Sequence, residues 1–265
     1  MVLRREIKKN AKLLVKGSRS LHISIFILYI SIMLFPSYIF TILNFFYIDK
    51  DVFFDMSLLS IPLWVSILTA TITAARFLLK ITLNAGVKGW YFNFVDSRCE
   101  NVGGVFAFLG ARLFFKNLWI YFQNFVKIIV LFILLELPTA LFFIARDILL
   151  PEKLPAAYQL LIILGAAFNF IISFYFCLLY GLGFFLCPYL IKEEKGTKAR
   201  KIIKKSRKYM KGHVRELLWF YITLVPAWVS LIFIIPAFWG FPYIKAAEAI
   251  YASYFYATGK ETDGN

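Results

Sequence analysis

Four stretches of this chain, residues 21–48, 56–75, 154–191 and 217–244, contain no Asp, Glu, Lys or Arg. A fifth, 117–145, is interrupted only by Lys127 and Glu136. About 20 predominantly apolar residues in a helix match the hydrocarbon thickness of a bilayer. Runs of that length, repeated, leave little choice of architecture. The composition agrees, with 61% hydrophobic and 17% charged residues where soluble domains have about 45–50% and about 25%. The expectation is an all-α, polytopic transmembrane helical bundle forming one integral-membrane domain over residues 1–265.

Spans are expected at about 21–47, 56–79, 118–145, 156–190, 217–235 and 238–257. The last two are expected to break around PAFWG, residues 236–240. That makes about six spans, or five if the final apolar segment lies flat. Pro36 falls inside the first and is expected to kink it. The run after the basic start is much longer than a signal peptide's apolar region of 7–15 residues, so it reads as a retained span. DSRCENVGG reads as a turn, and GVFAFLGARLFFK after it as an interfacial helix.

Net charge of +15 would suggest nucleic acid or another acidic surface if it were spread evenly. It is not. Of 30 Lys and Arg, seven lie in residues 1–20, five in 80–116 and eleven in 191–216. The connections at 48–55 and 146–155 hold one and two. This alternation follows the positive-inside rule and places the N-terminus in the cytoplasm of a multi-pass protein of the cell (inner) membrane.

Two basic segments carry helical periodicity. Leu3, Ile7, Ala11 and Leu14 share one face of residues 1–20, and Ala199, Ile202, Ile203, Ser206, Tyr209, Met210 and Val214 share one face of the basic segment 191–216. Both read as amphipathic helices on the cytoplasmic side of the bilayer. Arg200, Lys201, Lys204, Lys205, Arg207, Lys208 and Lys211 cover the other faces of the second and are assigned to the lipid surface. The expected partners are the bilayer and its anionic inner-leaflet lipids, with another membrane protein as a further candidate and no nucleic acid.

SRKYMKGHVRELLWFYITLVPAW, followed by GFPYIKAAEAIY, resembles the C-terminal signature of an uncharacterised bacterial integral-membrane family, domain of unknown function 975. Ser206, Met210, Gly212, Trp228, Pro242, Tyr243, Ala246 and Ala249 carry the likeness. REIKKNAKLLVKG resembles the family's N-terminus through Ile7, Lys8, Ala11 and Gly17. Tyr251 and Ala252 stand where the family pattern closes Phe-Tyr. The resemblance implies a six-span bundle and brings no activity with it.

Within the apolar runs few polar residues remain. Glu136 falls near mid-bilayer if Lys127 reaches the inner interface, and a carboxylate there must be paired or protonated. Pro138 frees a backbone carbonyl one turn earlier. Asn169 and Ser173, four apart on the fourth span, are candidates to face Glu136. The three are read as interhelical polar contacts or, in the alternative, as a proton or ligand site. Lys245 and Glu248, three apart, are placed to neutralise each other. Ala249, Ser253 and Ala257 form a small-residue stripe suited to close helix packing. Cys177 and Cys187 would lie about 15 Å apart on one helix, beyond the roughly 7 Å limit for a disulfide, and none is expected.

His22 and His213 are isolated, and no zinc-protease, hydrolase-elbow or phosphate-loop motif occurs. The chain is therefore expected to be non-enzymatic, without metal or cofactor. The leading expectation is an accessory, scaffolding or regulatory protein of a transporter or envelope complex. The alternative is a small proton-coupled transporter or permease using Glu136.

Overall fold

The computed structural model describes residues 2–47, 63–98, 101–149 and 156–264. Among them are nine α-helices: α1 (Val2–Gly17), α2 (Arg19–Tyr47), α3 (Leu63–Val95), α4 (Ala111–Leu149), α5 (Ala156–Leu182), α6 (Cys187–Glu193), α7 (Ala199–Tyr209), α8 (Val214–Ser230) and α9 (Ile234–Gly264). A 3-10 segment, Val102–Leu109, joins α3 to α4, and the described residues include no strand. The expected all-α class is the one observed. The connection 48–55, the start of the second expected span at 56–62, residues 151–155 and Cys99 lie outside the described residues.

Packing divides the molecule into two storeys. One is a dense platform built from α1, the last third of α3, the 3-10 segment, α6, α7, the first half of α8, and α9. Trp90, Tyr91, Phe92, Phe108, Tyr189, Phe220 and Tyr251 are fully buried in it. His22 anchors α2 to it, stacked on Tyr91 and edge-on to Trp90 and Phe94. Burying side chains of this size stabilises by roughly 1.5–3 kcal/mol each.

The other storey is long apolar helix with little protein around it. After Ile120 no described residue of α4 is buried, and between Tyr158 and Leu182 only Ser173 and Cys177 are. Phe125, Ile133, Leu134, Leu141, Leu161, Phe168 and Ile171 all point outward. At 39 residues and about 1.5 Å per residue, α4 is about 58 Å long, nearly twice a bilayer's hydrocarbon core of about 30 Å. Its first turns therefore belong to the platform, where Asn117 and Ile120 are buried.

Among the described residues four segments are long and apolar enough to cross a membrane: Arg19–Ile39, Ser66–Val95, Ala111–Arg146 and Tyr158–Glu193. The hairpin of α8 and α9 is the difference from about six. α8 has 17 residues, about 25 Å. The hairpin breaks at Leu231–Phe233 rather than at 236–240, because Pro236 sits in the first turn of α9, where its missing N–H has no partner to lose. The tip is intensely apolar, with Ile232 77%, Ile234 80% and Ile235 77% exposed.

Three further expectations are corrected. The single helix expected over 156–190 is interrupted: α5 stops at Leu182, and a turn over 183–186 leads into α6. Ser206 Oγ of α7 donates to the Gly183 carbonyl at 3.0 Å, fastening that turn. The interfacial helix expected over 104–116 divides into the 3-10 segment and the start of α4. Here the chain is pinned by Gly86 of α3, where a Cβ would lie 1.9 Å from the Val105 carbonyl oxygen. Finally, the apolar faces expected on the bilayer for α1 and α7 are packed against protein. Ile7, Ala11 and Val15 are buried with α9 alongside, and Ile202, Ile203, Ser206, Tyr209 and Met210 are buried in the platform. Gly212, at φ 88°, closes the turn after α7 in a conformation that favours glycine.

Candidate functional site

Two polar clusters interrupt the apolar interior, one in each storey. In the outer storey α4 and α5 lie side by side, and the residues singled out from sequence meet there. Asn169 Nδ2 donates to Thr139 Oγ1 at 2.8 Å, to Glu136 Oε2 at 3.3 Å and to the Leu135 carbonyl at 3.3 Å. Pro138 removes the N–H that would have bonded the Leu134 carbonyl, and Asn169 reaches the neighbouring carbonyl of that loosened turn. Glu136 Oε1 is buried with no hydrogen-bond partner, and so is Ser173 Oγ one turn along α5. One amide thus spans the helix pair while a carboxylate oxygen and a hydroxyl stay free. Ser173 itself makes no bond to Glu136. Cys177 and Cys187 are buried free thiols, and Cys187 lies beyond the turn, in α6 rather than α5.

The second cluster lies where α3, α8 and α9 converge. Lys245 Nζ is 3.2 Å from Glu248 Oε2, the i, i+3 pair expected. The fold adds three residues that spacing along α9 did not reveal. Lys88 Nζ stands 3.7 Å from the same carboxylate oxygen. Tyr221 donates its hydroxyl to Glu248 Oε1 at 3.2 Å, and Lys245 donates to Asn84 Oδ1 at 3.2 Å. Two ammonium groups share one carboxylate in a buried site, so the cluster carries one excess positive charge. Lys88 also lines a cavity of about 350 Å³ with Asn117, Tyr121 and Asn124. Asn117 is fully buried, and neither amide atom has a protein partner. The chamber therefore suits water or a small polar molecule.

Of the basic residues, Arg200, Lys201, Lys204, Arg207, Lys208 and Lys211 are exposed, and Arg207 lies over the Tyr180 ring at 4.6 Å to the centroid. Lys205 is half-buried and paired with Glu194, whose hydrogen bond raises the Lys205 pKa. Arg98 Nη1 bonds Glu193 Oε1 at 2.6 Å, holding the end of α3 to α6. The small-residue stripe serves in part. Ala249 is buried and Ser253 donates to Asp96 Oδ1 at 2.9 Å, but Ala257 is exposed. Close packing of α9 falls instead to Ala246, Ala247, Ala249 and Ala252, all fully buried. Among the described residues no group of three His, Cys, Asp or Glu is placed to share a metal ion.

The sequence profile of the family described as "Protein of unknown function (DUF975)" matches residues 1–257. The chain belongs to that family. Comparison with curated proteins and with solved structures finds no match. The DUF975 match takes in both polar clusters, α1, α7 and most of α9.

Proposed function

We propose that this DUF975 protein is a multi-pass protein of the bacterial inner membrane, with its N-terminus in the cytoplasm and a non-enzymatic, accessory role beside a transporter or envelope complex. The observation that supports this reading is the outer half of α4 and α5. Its large apolar side chains face away from the chain and are exposed among the described residues. Such a surface is covered by lipid, by another membrane protein, or by both. The concentration of Lys and Arg at the platform end supports the cytoplasmic orientation. The polar clusters join helix to helix, which suits a scaffold better than a reaction centre.

The test is a pull-down of tagged protein from native membranes in lipid nanodiscs, with mass spectrometry of what is retained. A stoichiometric membrane partner is expected. Recovery of the chain without any partner refutes the accessory role.

A second reading, proton-coupled transport, is favoured by one observation: Oε1 of Glu136 is buried without a hydrogen-bond partner. It predicts solute flux that Glu136→Gln abolishes. Wild-type flux unchanged in that variant refutes it.

A further inference from the structure

Because its apolar face is spent on α9, α1 does not lie on a membrane by that face. Its polar face becomes one wall of a groove of about 840 Å³ against the tip of the α8–α9 hairpin. That volume is within the range of small-molecule sites. Lys8, Lys9, Lys12 and Lys16 of α1 and Arg19 of α2 line it, and no carboxylate does. None of the five pairs with an acidic side chain among the described residues. Lys8 Nζ instead donates to the Thr223 carbonyl at 2.8 Å, tying α1 to α8.

The opposite wall is hydrocarbon. Ile235, Pro236 and Trp239 line it, and it runs on into the exposed tip at Ile232 and Ile234. Arg19 lies over the Trp239 ring at 5.1 Å to the centroid. From Lys8 to Lys16 the row of cations extends about 12 Å along α1, and Arg19 opens α2 just beyond it.

We infer that this groove is a specific site for one anionic phospholipid, with the phosphate on the Lys9–Arg19 row and an acyl chain along Ile235 and Trp239. The charge selects an anion, since five cations without a counter-charge disfavour the ammonium of a zwitterionic headgroup. The apolar wall selects an amphiphile over a free anion or nucleic acid. The Arg19–Trp239 contact marks the level where headgroup gives way to chain. This rests on the membrane reading above and gives it a defined lipid contact.

The full chain is purified in detergent, stripped of lipid and equilibrated in mixed micelles of phosphatidylglycerol and phosphatidylcholine with identical chains. The retained ratio is then measured by mass spectrometry. The wild type is expected to retain about one phosphatidylglycerol in preference to phosphatidylcholine. Lys9→Gln, Lys12→Gln and Lys16→Gln together, all at exposed positions, should lower that preference by tenfold or more. A control with the same charge loss away from the groove and from α7, Arg112→Gln, Lys195→Gln and Lys260→Gln, all exposed, should keep it. Preference surviving in the groove variant, or lost equally in the control, overturns the site. So does retention of both lipids alike, or displacement of the lipid by an acidic peptide. Should the groove variant fold poorly, a salt series on the wild type decides: preference must fall as ionic strength rises, and indifference to salt overturns the proposal. Carbonate extraction of the expressed chain separates the two readings, because recovery in the soluble fraction defeats the membrane reading itself.

Discussion

Replacing Glu248 by Gln tests whether the buried cluster is held by charge. The side chain of Glu248 is 3% exposed, that of Lys245 7% and that of Lys88 14%. At 3.2 Å and 3.7 Å, with an effective dielectric near 20, the two attractions are each roughly 4–5 kcal/mol before desolvation. Glu248→Gln keeps the shape and the Tyr221 contact but leaves two ammonium groups facing each other without a counter-charge. Loss of about 3–5 kcal/mol of stability is expected, as for other broken buried pairs. Lys245→Met differs in sign of charge and in consequence. It leaves Lys88 and Glu248 as a neutral pair, and because the lost attraction to Glu248 is offset by one buried charge fewer to desolvate, it should cost about 1–2 kcal/mol, chiefly the Asn84 bond. The double variant should recover part of the Glu248→Gln loss, because one of the stranded charges is gone. The readout is denaturant unfolding of each variant in the same detergent, followed by tryptophan fluorescence. If Lys245→Met costs as much as Glu248→Gln, or if the double variant is simply additive, the shared-carboxylate account is wrong.

Gly86→Ala should destabilise by roughly 1–3 kcal/mol, since its Cβ meets the backbone oxygen of Val105 and not a movable side chain; thermal unfolding checks it. Asn169→Leu should cost about 0.6–2 kcal/mol by unpairing Thr139 and Glu136, while Glu136→Gln should be nearly neutral in stability, both measured as unfolding midpoints. Glu194 raises the pKa of Lys205 above the ordinary 10.5, so their contribution is complete below that value and is lost as pH rises through the raised one. Glu194→Gln should accordingly flatten the stability profile only at the alkaline end. Single cysteines introduced at Arg200 and at Lys9 should be labelled from the cytoplasmic side of inverted vesicles and protected in intact cells. Labelling from the outer side would reverse the orientation.

What the sequence disclosed depended on whether a signal was local. The helical spacing of Ile202, Ile203, Ser206 and Tyr209 showed that α7 has an apolar face, but spacing does not say whether lipid or protein covers it, and here protein does. Lys245 and Glu248 were legible as an i, i+3 pair. Lys88 and Tyr221, on other helices, were not, because their approach is set by how α3 and α8 pack on α9. Asn169 and Ser173 were candidates to face Glu136, and Asn169 does bond it; that Thr139 would take Asn169's shorter bond and that Ser173 would make none was not legible, because both depend on how α5 is rotated against α4. The turn at 183–186 left no signal beyond two glycines, for the run there stays uncharged. Pro236 pointed to a break but not to its side, since proline is equally at home in the first turn of the helix that follows.

The platform's dependence on α9 also bears on how the chain is made. α1 is synthesised first, yet the surface that receives Ile7, Ala11 and Val15 comes from the helix beginning at Ile234. Throughout translation the nascent N-terminus carries an uncovered apolar stripe, and the Lys245–Glu248 pair that caps the cluster around Lys88 is still to be made. Folding of the platform therefore closes as a single late event. A chain halted before residue 234 would hold all four of its long apolar helices and still present its first helix as an unmet binding face, legible to proteolytic surveillance as unfinished.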